Sequence, residues 1–136
     1  FVGCASKDEI VSCPIISAPA EGVRALVRSD TTRQLFVVRL NGVEADCEGH
    51  RSGGTAVELT VGLKLERDLS EGKDAVVLAV PMMSAIVDAQ QAVISNDEFG
   101  YKVGFSRGIK QQYPTVEIEK IVPLNSRLVI SLKSAH

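Results

Sequence analysis

Three cysteines, Cys4, Cys13 and Cys47, and two histidines, His50 and His136, have the widest chemical reach in this sequence. Their spacing argues against a metal centre. There is no Cys-x-x-Cys and no paired histidine, whereas a structural zinc site needs four nitrogen or sulfur donors brought together. No serine sits in a nucleophile elbow. His50 lies in the Gly-rich stretch 48–54 (EGHRSGG), where a lone histidine reads as a solvated loop residue. The backbone N–H groups of Gly53 and Gly54, beside His50, Arg51 and Ser52, offer a cradle for an anion. A P-loop lysine and a following helix are missing, and a flexible hairpin is the simpler reading. Asp68, Glu71 and Asp74 share one loop without EF-hand spacing and read as solvated carboxylates. Phe99, Tyr101 and Phe105 recur at strand spacing, which points to a core face and not to a stacking platform. These residues predict a non-enzymatic chain with no cofactor. The alternative from another class is a small hydrolase or ligand-binding protein with a loop site near His50.

The elements that carry these side chains are strands. In residues 55–67 (TAVELTVGLKLER), Val57, Leu59, Val61, Leu63 and Leu65 fall on every second position. Side chains alternate across a strand, so this is one apolar face and one wet face. Residues 34–40 (QLFVVRL) give a second strong strand with Phe36, Val38 and Leu40 inward. The apolar phase then slips by one at Asn41-Gly42, before Val43, Ala45 and Cys47. Asn-Gly signals a type I′ hairpin, and a one-residue slip is also what a β-bulge produces. The shortness of 43–47 favours a bulged continuous strand. Residues 75–89 (AVVLAVPMMSAIVDA) read as a strand with Pro81 at an edge or bulge, although Met82, Met83, Ile86, Ala89 and Val93 also fit a helical stripe. The strand reading puts a hairpin turn at 88–91.

Residues 98–106 place Phe99, Tyr101, Val103 and Phe105 on one face. Residues 115–122 alternate Val116, Ile118 and Lys120 against Glu117, Glu119 and Ile121. Residues 127–133 close the pattern with Leu128, Ile130 and Leu132 inward. Earlier, 9–16 (EIVSCPII) reads as a first strand, with Pro14 marking an edge, and 23–29 alternates Val23, Ala25 and Val27 against Arg24, Leu26 and Arg28. Seven to nine short strands at regular spacing predict an all-β antiparallel sandwich of immunoglobulin-like or fibronectin-III-like shape. One domain, residues 9–136, follows a short tail, residues 1–8.

The bulk properties agree. Hydrophobic residues make up 45% of the chain and aromatics only 4%, so Val, Ile, Leu and Ala must fill the core. β-branched residues suit a pleated surface. A net charge of −2 with interspersed signs gives no basic face for nucleic acid and no polybasic membrane patch. No apolar run approaches the ~20 residues of a spanning helix. The sequence opens on Phe1 and not on Met, so a preceding segment is expected.

Phe1-Val2-Gly3-Cys4-Ala5-Ser6 resembles the lipobox of bacterial lipoproteins, in which a small residue precedes the cysteine that receives lipid and becomes the mature N-terminus. Phe1 departs from the leucine usual there. The resemblance implies a lipid anchor on Cys4 and export. Cys13 and Cys47 are then left as an even pair in an oxidising compartment, where paired thiols close. A Cys13–Cys47 bridge would stabilise by about 3–4 kcal/mol on the chain-entropy model. Cys13-Pro14, Cys47, the alternation of 57–65 and Pro123-Leu124 are similar to small envelope lipoproteins of alphaproteobacterial type, which carry no known activity. What this implies is a non-enzymatic, membrane-tethered envelope lipoprotein, facing the periplasm from the outer membrane, with a binding or structural role toward an envelope protein partner. The first alternative is a subunit of a larger envelope or surface assembly. Edge strands, or a face around Met82 and Met83, would meet the partner. The oligomeric state is left open.

Overall fold

The apolar alternation of residues 55–67 builds a strand whose odd-numbered side chains are all buried, from Thr55 to Arg67. The computed structural model describes residues 12–134, and among them nine strands occur. They are β1 Ile16–Ser17, β2 Arg24–Arg28, β3 Leu35–Gly49, β4 Thr55–Arg67, β5 Val76–Val87, β6 Val93–Phe105, β7 Gln111–Gln112, β8 Thr115–Val122 and β9 Arg127–Leu132. They form two sheets. Sheet I has the order β1-β9-β5-β6; sheet II has β2-β3-β4, with β8 and the short β7 both pairing β4. The expected sandwich is present as two packed, mainly antiparallel layers. A single apolar core fills the space between them, with Phe36, Leu59, Leu63, Leu65, Leu78, Met82, Leu128 and Ile130 all at most 1% exposed.

The slip at Asn41-Gly42 is a bulge in one long strand. The β3–β4 register runs from Phe36↔Arg67 to Leu40↔Leu63 and resumes at Val43↔Val61. Gly42 takes φ +90°, a left-handed conformation that a side chain resists. Gly62, opposite, faces the Asn41 carbonyl so closely that any Cβ there would collide with it. The bulge thus needs glycine on both strands.

Within residues 75–89, Val76–Val87 is strand and not helix. β5 is interior, yet Pro81 is tolerated because β9 ends beside it. The Pro81 carbonyl accepts from Lys133 N–H (2.9 Å), and a strand residue's N–H and C=O point the same way. The missing donor therefore faces the end of β9 and breaks no ladder. The 88–91 turn is as expected: Asp88 Oδ1 accepts from the N–H groups of Gln90 and Ala92, both at 2.9 Å.

Of the first strand expected over 9–16, residues 9–11 lie outside the described residues, and among 12–16 pairing starts only at Ile16. The reason is nonlocal. Cys13 is bonded to Cys47 on sheet II, whereas Ile16 pairs Leu128 on sheet I, so the segment between them crosses from one layer to the other. A chain in transit between layers has no neighbour to ladder with.

Candidate functional site

The cysteine pair expected to close does so. Cys13 and Cys47 form a disulfide with their Cα atoms 5.5 Å apart. Ile15 C=O also accepts from Leu128 N–H (2.9 Å), so the N-terminal segment is tied covalently to sheet II and by hydrogen bonds to sheet I within three residues. A cleft of about 550 Å³ lies at this end, lined by Cys13, Pro14, Ile15, Val87, Leu124 and Arg127 among others. Ile15 (71% exposed) and Leu124 (67%) present apolar surface there. Cys4 lies outside the described residues, as does His136.

The other sequence-marked loops are built for turning. His50 N–H donates to Gly54 C=O and Gly53 N–H donates to His50 C=O, each at 2.9 Å, which closes the loop between β3 and β4. His50 Nδ1 accepts from Ser52 N–H (3.2 Å) and lies 2.7 Å from Ser52 Oγ, so its ring is spent on its own turn. Asp68 Oδ1 accepts from Ser70 N–H (2.9 Å) and Ser70 Oγ–H (2.7 Å), which hold its carboxyl below the usual carboxylate range. Among the described residues, no group of three or more acidic, His or Cys side chains is placed to hold a metal.

Met82 and Met83 do not form a surface patch together. Met82 is fully buried between the sheets, on the same alternation as Val76, Leu78 and Val80. Only Met83, half-buried on the outer face of sheet I between Glu98 and Ser131, reaches that surface. Phe105 is core, at 1% exposure. Phe99 and Tyr101 are half-buried where β6 forms the rim of its sheet, and Tyr101 Oη–H donates to Thr115 C=O (3.0 Å) across to β8.

Arg67 is the feature that sequence reasoning passed over. It continues the buried odd-numbered row of β4 and is 3% exposed. Its Nε donates to Ile109 C=O (3.0 Å), Nη1 to Asp74 C=O (2.7 Å) and Nη2 to Ser106 C=O (3.0 Å) and Lys73 C=O (3.3 Å). The guanidinium carbon also lies 4.7 Å from the ring centre of Phe105 and 5.7 Å from that of Phe36, and the two rings meet edge to face. Gln34 supports it, donating to the carbonyls of Asp68 (2.8 Å) and Gly72 (3.1 Å) while its Oε1 accepts from Arg67 Nη1. Burial draws the Arg67 pKa below the ordinary guanidinium value, with Asp74 acting the other way. Among the described residues, no carboxylate hydrogen-bonds the guanidinium. The cation is satisfied by backbone and aromatic faces, which is the chemistry of a structural clasp for the loops at 68–74 and 106–109.

The outer face of sheet II is acidic. Asp46, Glu58 and Glu119 stand directly opposite one another across β3, β4 and β8, and Glu44 and Glu117 flank Thr60 one row away. All five are exposed. Glu48 belongs to the same face, and a cleft of about 460 Å³ is lined by Asp46, Glu48, Glu58 and Glu119 among others. Sheet I carries the other long rim: among the described residues β6 has a single neighbour, β5, and residues 93–98 are exposed throughout. No helix among the described residues is long and apolar enough to cross a membrane. Compared with known proteins, the chain matches no family model, no curated protein and no solved structure.

Proposed function

We propose that this chain is a non-enzymatic binding or structural module of the bacterial cell envelope, anchored by lipid on Cys4 and facing the periplasm from the outer membrane. The observation that carries this reading is the Cys13–Cys47 disulfide. Structural disulfides persist in oxidising, exported compartments and are rare where thiols are kept reduced. With that pair closed, Cys4 is the cysteine left for modification, in the sequence context that resembles a lipobox. Eight residues, 5–12, separate it from Cys13, a leash of at most ~30 Å when extended. Binding would be through exposed strand rims, whose unpaired N–H and C=O groups accept another strand.

The test is metabolic labelling with a fatty acid in cells expressing the protein with its native leader. Wild type is expected to take up label and Cys4→Ser to take up none. An unlabelled wild type refutes the tether. A role as subunit of a larger assembly is the second reading, favoured by the length of the open β6 rim.

A further inference from the structure

We infer that two copies of this chain join through β6, antiparallel about Gly100, to make one continuous sheet from their two sheets I. This names a partner for the binding module proposed above and rests on that reading.

The rim comes first. β6 is thirteen residues long with β5 as its one neighbour among the described residues. Its open side is carried by the even-numbered residues. Gly100 lies opposite Pro81, whose carbonyl faces β9, so Pro81↔Gly100 is a non-hydrogen-bonded pair and the Gly100 polar groups point outward. The register holds without a break from Val76↔Phe105 to Ile86↔Ser95, so Asn96, Glu98 and Lys102 point outward too. Gly104 does the same, and its carbonyl is already taken by Gln112 Nε2 (2.9 Å). The open ladder therefore runs from Asn96 to Lys102.

The side chains on that ladder select the occupant. With Gly100 of each copy on the dyad, Glu98 of one copy, which also meets Lys133 Nζ of its own copy at 3.0 Å, faces Lys102 of the other, and this happens twice. Opposite charges directly across a sheet attract, and like charges repel. Centring the pair on Glu98 opposes two glutamates, and centring it on Lys102 opposes two lysines. On the inner face, the same register sets half-buried Tyr101 against Phe99 of the second copy, again twice, as close non-hydrogen-bonded neighbours. Gly100 has a further consequence. A Cβ there, as at Gly104, would meet nothing within 4 Å, its φ is not left-handed and no bulge lies at it, so nothing among the described residues calls for glycine. Glycine within a strand otherwise marks the close approach of another backbone. The rim of sheet II lacks this match: β8 presents Glu117 and Glu119, and the second half of β3 presents Glu44, Asp46 and Glu48, all of one sign.

Sedimentation equilibrium of the full chain, at low salt and over a range of concentrations, tests the inference. Wild type is expected to be a dimer in reversible exchange. Lys102→Glu sets like charges together at both contacts and should weaken dimerisation at least about tenfold. Combining it with Glu98→Lys, and with Lys133→Glu to keep the ion pair that residue 98 makes within each copy, restores the opposite pairing and should bring the dissociation constant back to within about threefold of wild type. Gly100→Pro removes an outward donor at an edge position of the kind that tolerates proline, so it should leave circular dichroism folded and the protein monomeric. A wild type that stays monomeric up to ~1 mM overturns the inference. So does a dimer that survives Gly100→Pro, because it uses another surface. Fatty-acid labelling of Cys4 is read separately, so loss of the anchor and loss of the dimer are distinguishable failures.

Discussion

The two ends of this sandwich are closed by opposite means. At one end Arg67 reaches four loop carbonyls with its guanidinium and covers the Phe36–Phe105 pair. At the other end Cys13 is bonded to Cys47, while the second half of β3 and the first half of β6 run out into solvent. The difference follows from what each end lacks. Around Arg67 the apolar core is complete, but loops fold over it with carbonyls that no strand can satisfy. A group with five donors and an apolar plane answers that need. At the disulfide end the second half of β3 and the first half of β6 outrun the core that Val57, Ile86, Val122 and Leu128 fill, and a covalent tie fastens the part of β3 that packing does not. Stability should therefore be cooperative and global at the first end, and local at the second.

Removing the cation is the largest break. Arg67→Met keeps much of the volume but strands four part-buried carbonyls and the buried Gln34 amide oxygen, so it should cost about 3–5 kcal/mol in urea unfolding. A loss under about 1 kcal/mol would mean that water already serves those carbonyls, and the clasp description fails. Cutting the tie comes next. Cys13→Ser with Cys47→Ser should cost about 2–4 kcal/mol. The loss should be uneven: amide exchange should quicken across 43–49 while 63–67 stays protected. Uniform quickening would show that the ends are not independent.

Why one end was readable in the sequence and the other was not has a physical answer. The alternation that identifies β4 extends through Arg67, so its inward direction was legible from parity alone. Its charge hid it, because a buried arginine makes sense only with carbonyls from residues 73, 74, 106 and 109, which no local pattern reveals. Met82 was misplaced against the same parity. Strand parity with Val76, Leu78 and Val80 puts it inside, and two neighbours in one strand point to opposite faces, so Met82 and Met83 cannot share a surface. The bulge at Asn41-Gly42 and the 88–91 turn were legible because their chemistry is local. The pairing of Cys13 with Cys47 followed from setting Cys4 aside. That the bonded segment crosses between layers, and so cannot form the long first strand, depends on contacts over 100 residues apart in the chain, such as Ile16 with Leu128.

Smaller changes sharpen the contrast. Asp46, Glu58 and Glu119 form a like-charged row near the disulfide end. Glu58→Thr removes the middle charge and adds a good strand former, so it should stabilise by about 0.5 kcal/mol. The gain should shrink as salt is added, because screening already weakens repulsion between exposed charges. A gain that does not vary with salt would assign the effect to strand propensity instead.

The smallest effect lies at the Arg67 end and is read through pH. Glu66 accepts from Gln111 Nε2 (3.0 Å), and this bond is the main cause that lowers its pKa, with Lys64, Lys110 and Arg39 adding to it. Asp68 is lowered chiefly by its bonds from Ser70. Both carboxyls thus hold a proton less tightly in the folded chain than in the unfolded one. Their contribution is complete above the unfolded values, near pH 4, and is lost as pH falls through the lower folded values. Both groups are exposed to solvent screening, so the contribution is small. Glu66→Gln with Asp68→Asn removes both titrations, and the amide oxygens can still accept the same bonds. The urea midpoint of the double variant should therefore fall less steeply than that of wild type between about pH 5 and pH 3. Equal slopes would place the acid sensitivity elsewhere, and the acidic face of sheet II would be the next place to look.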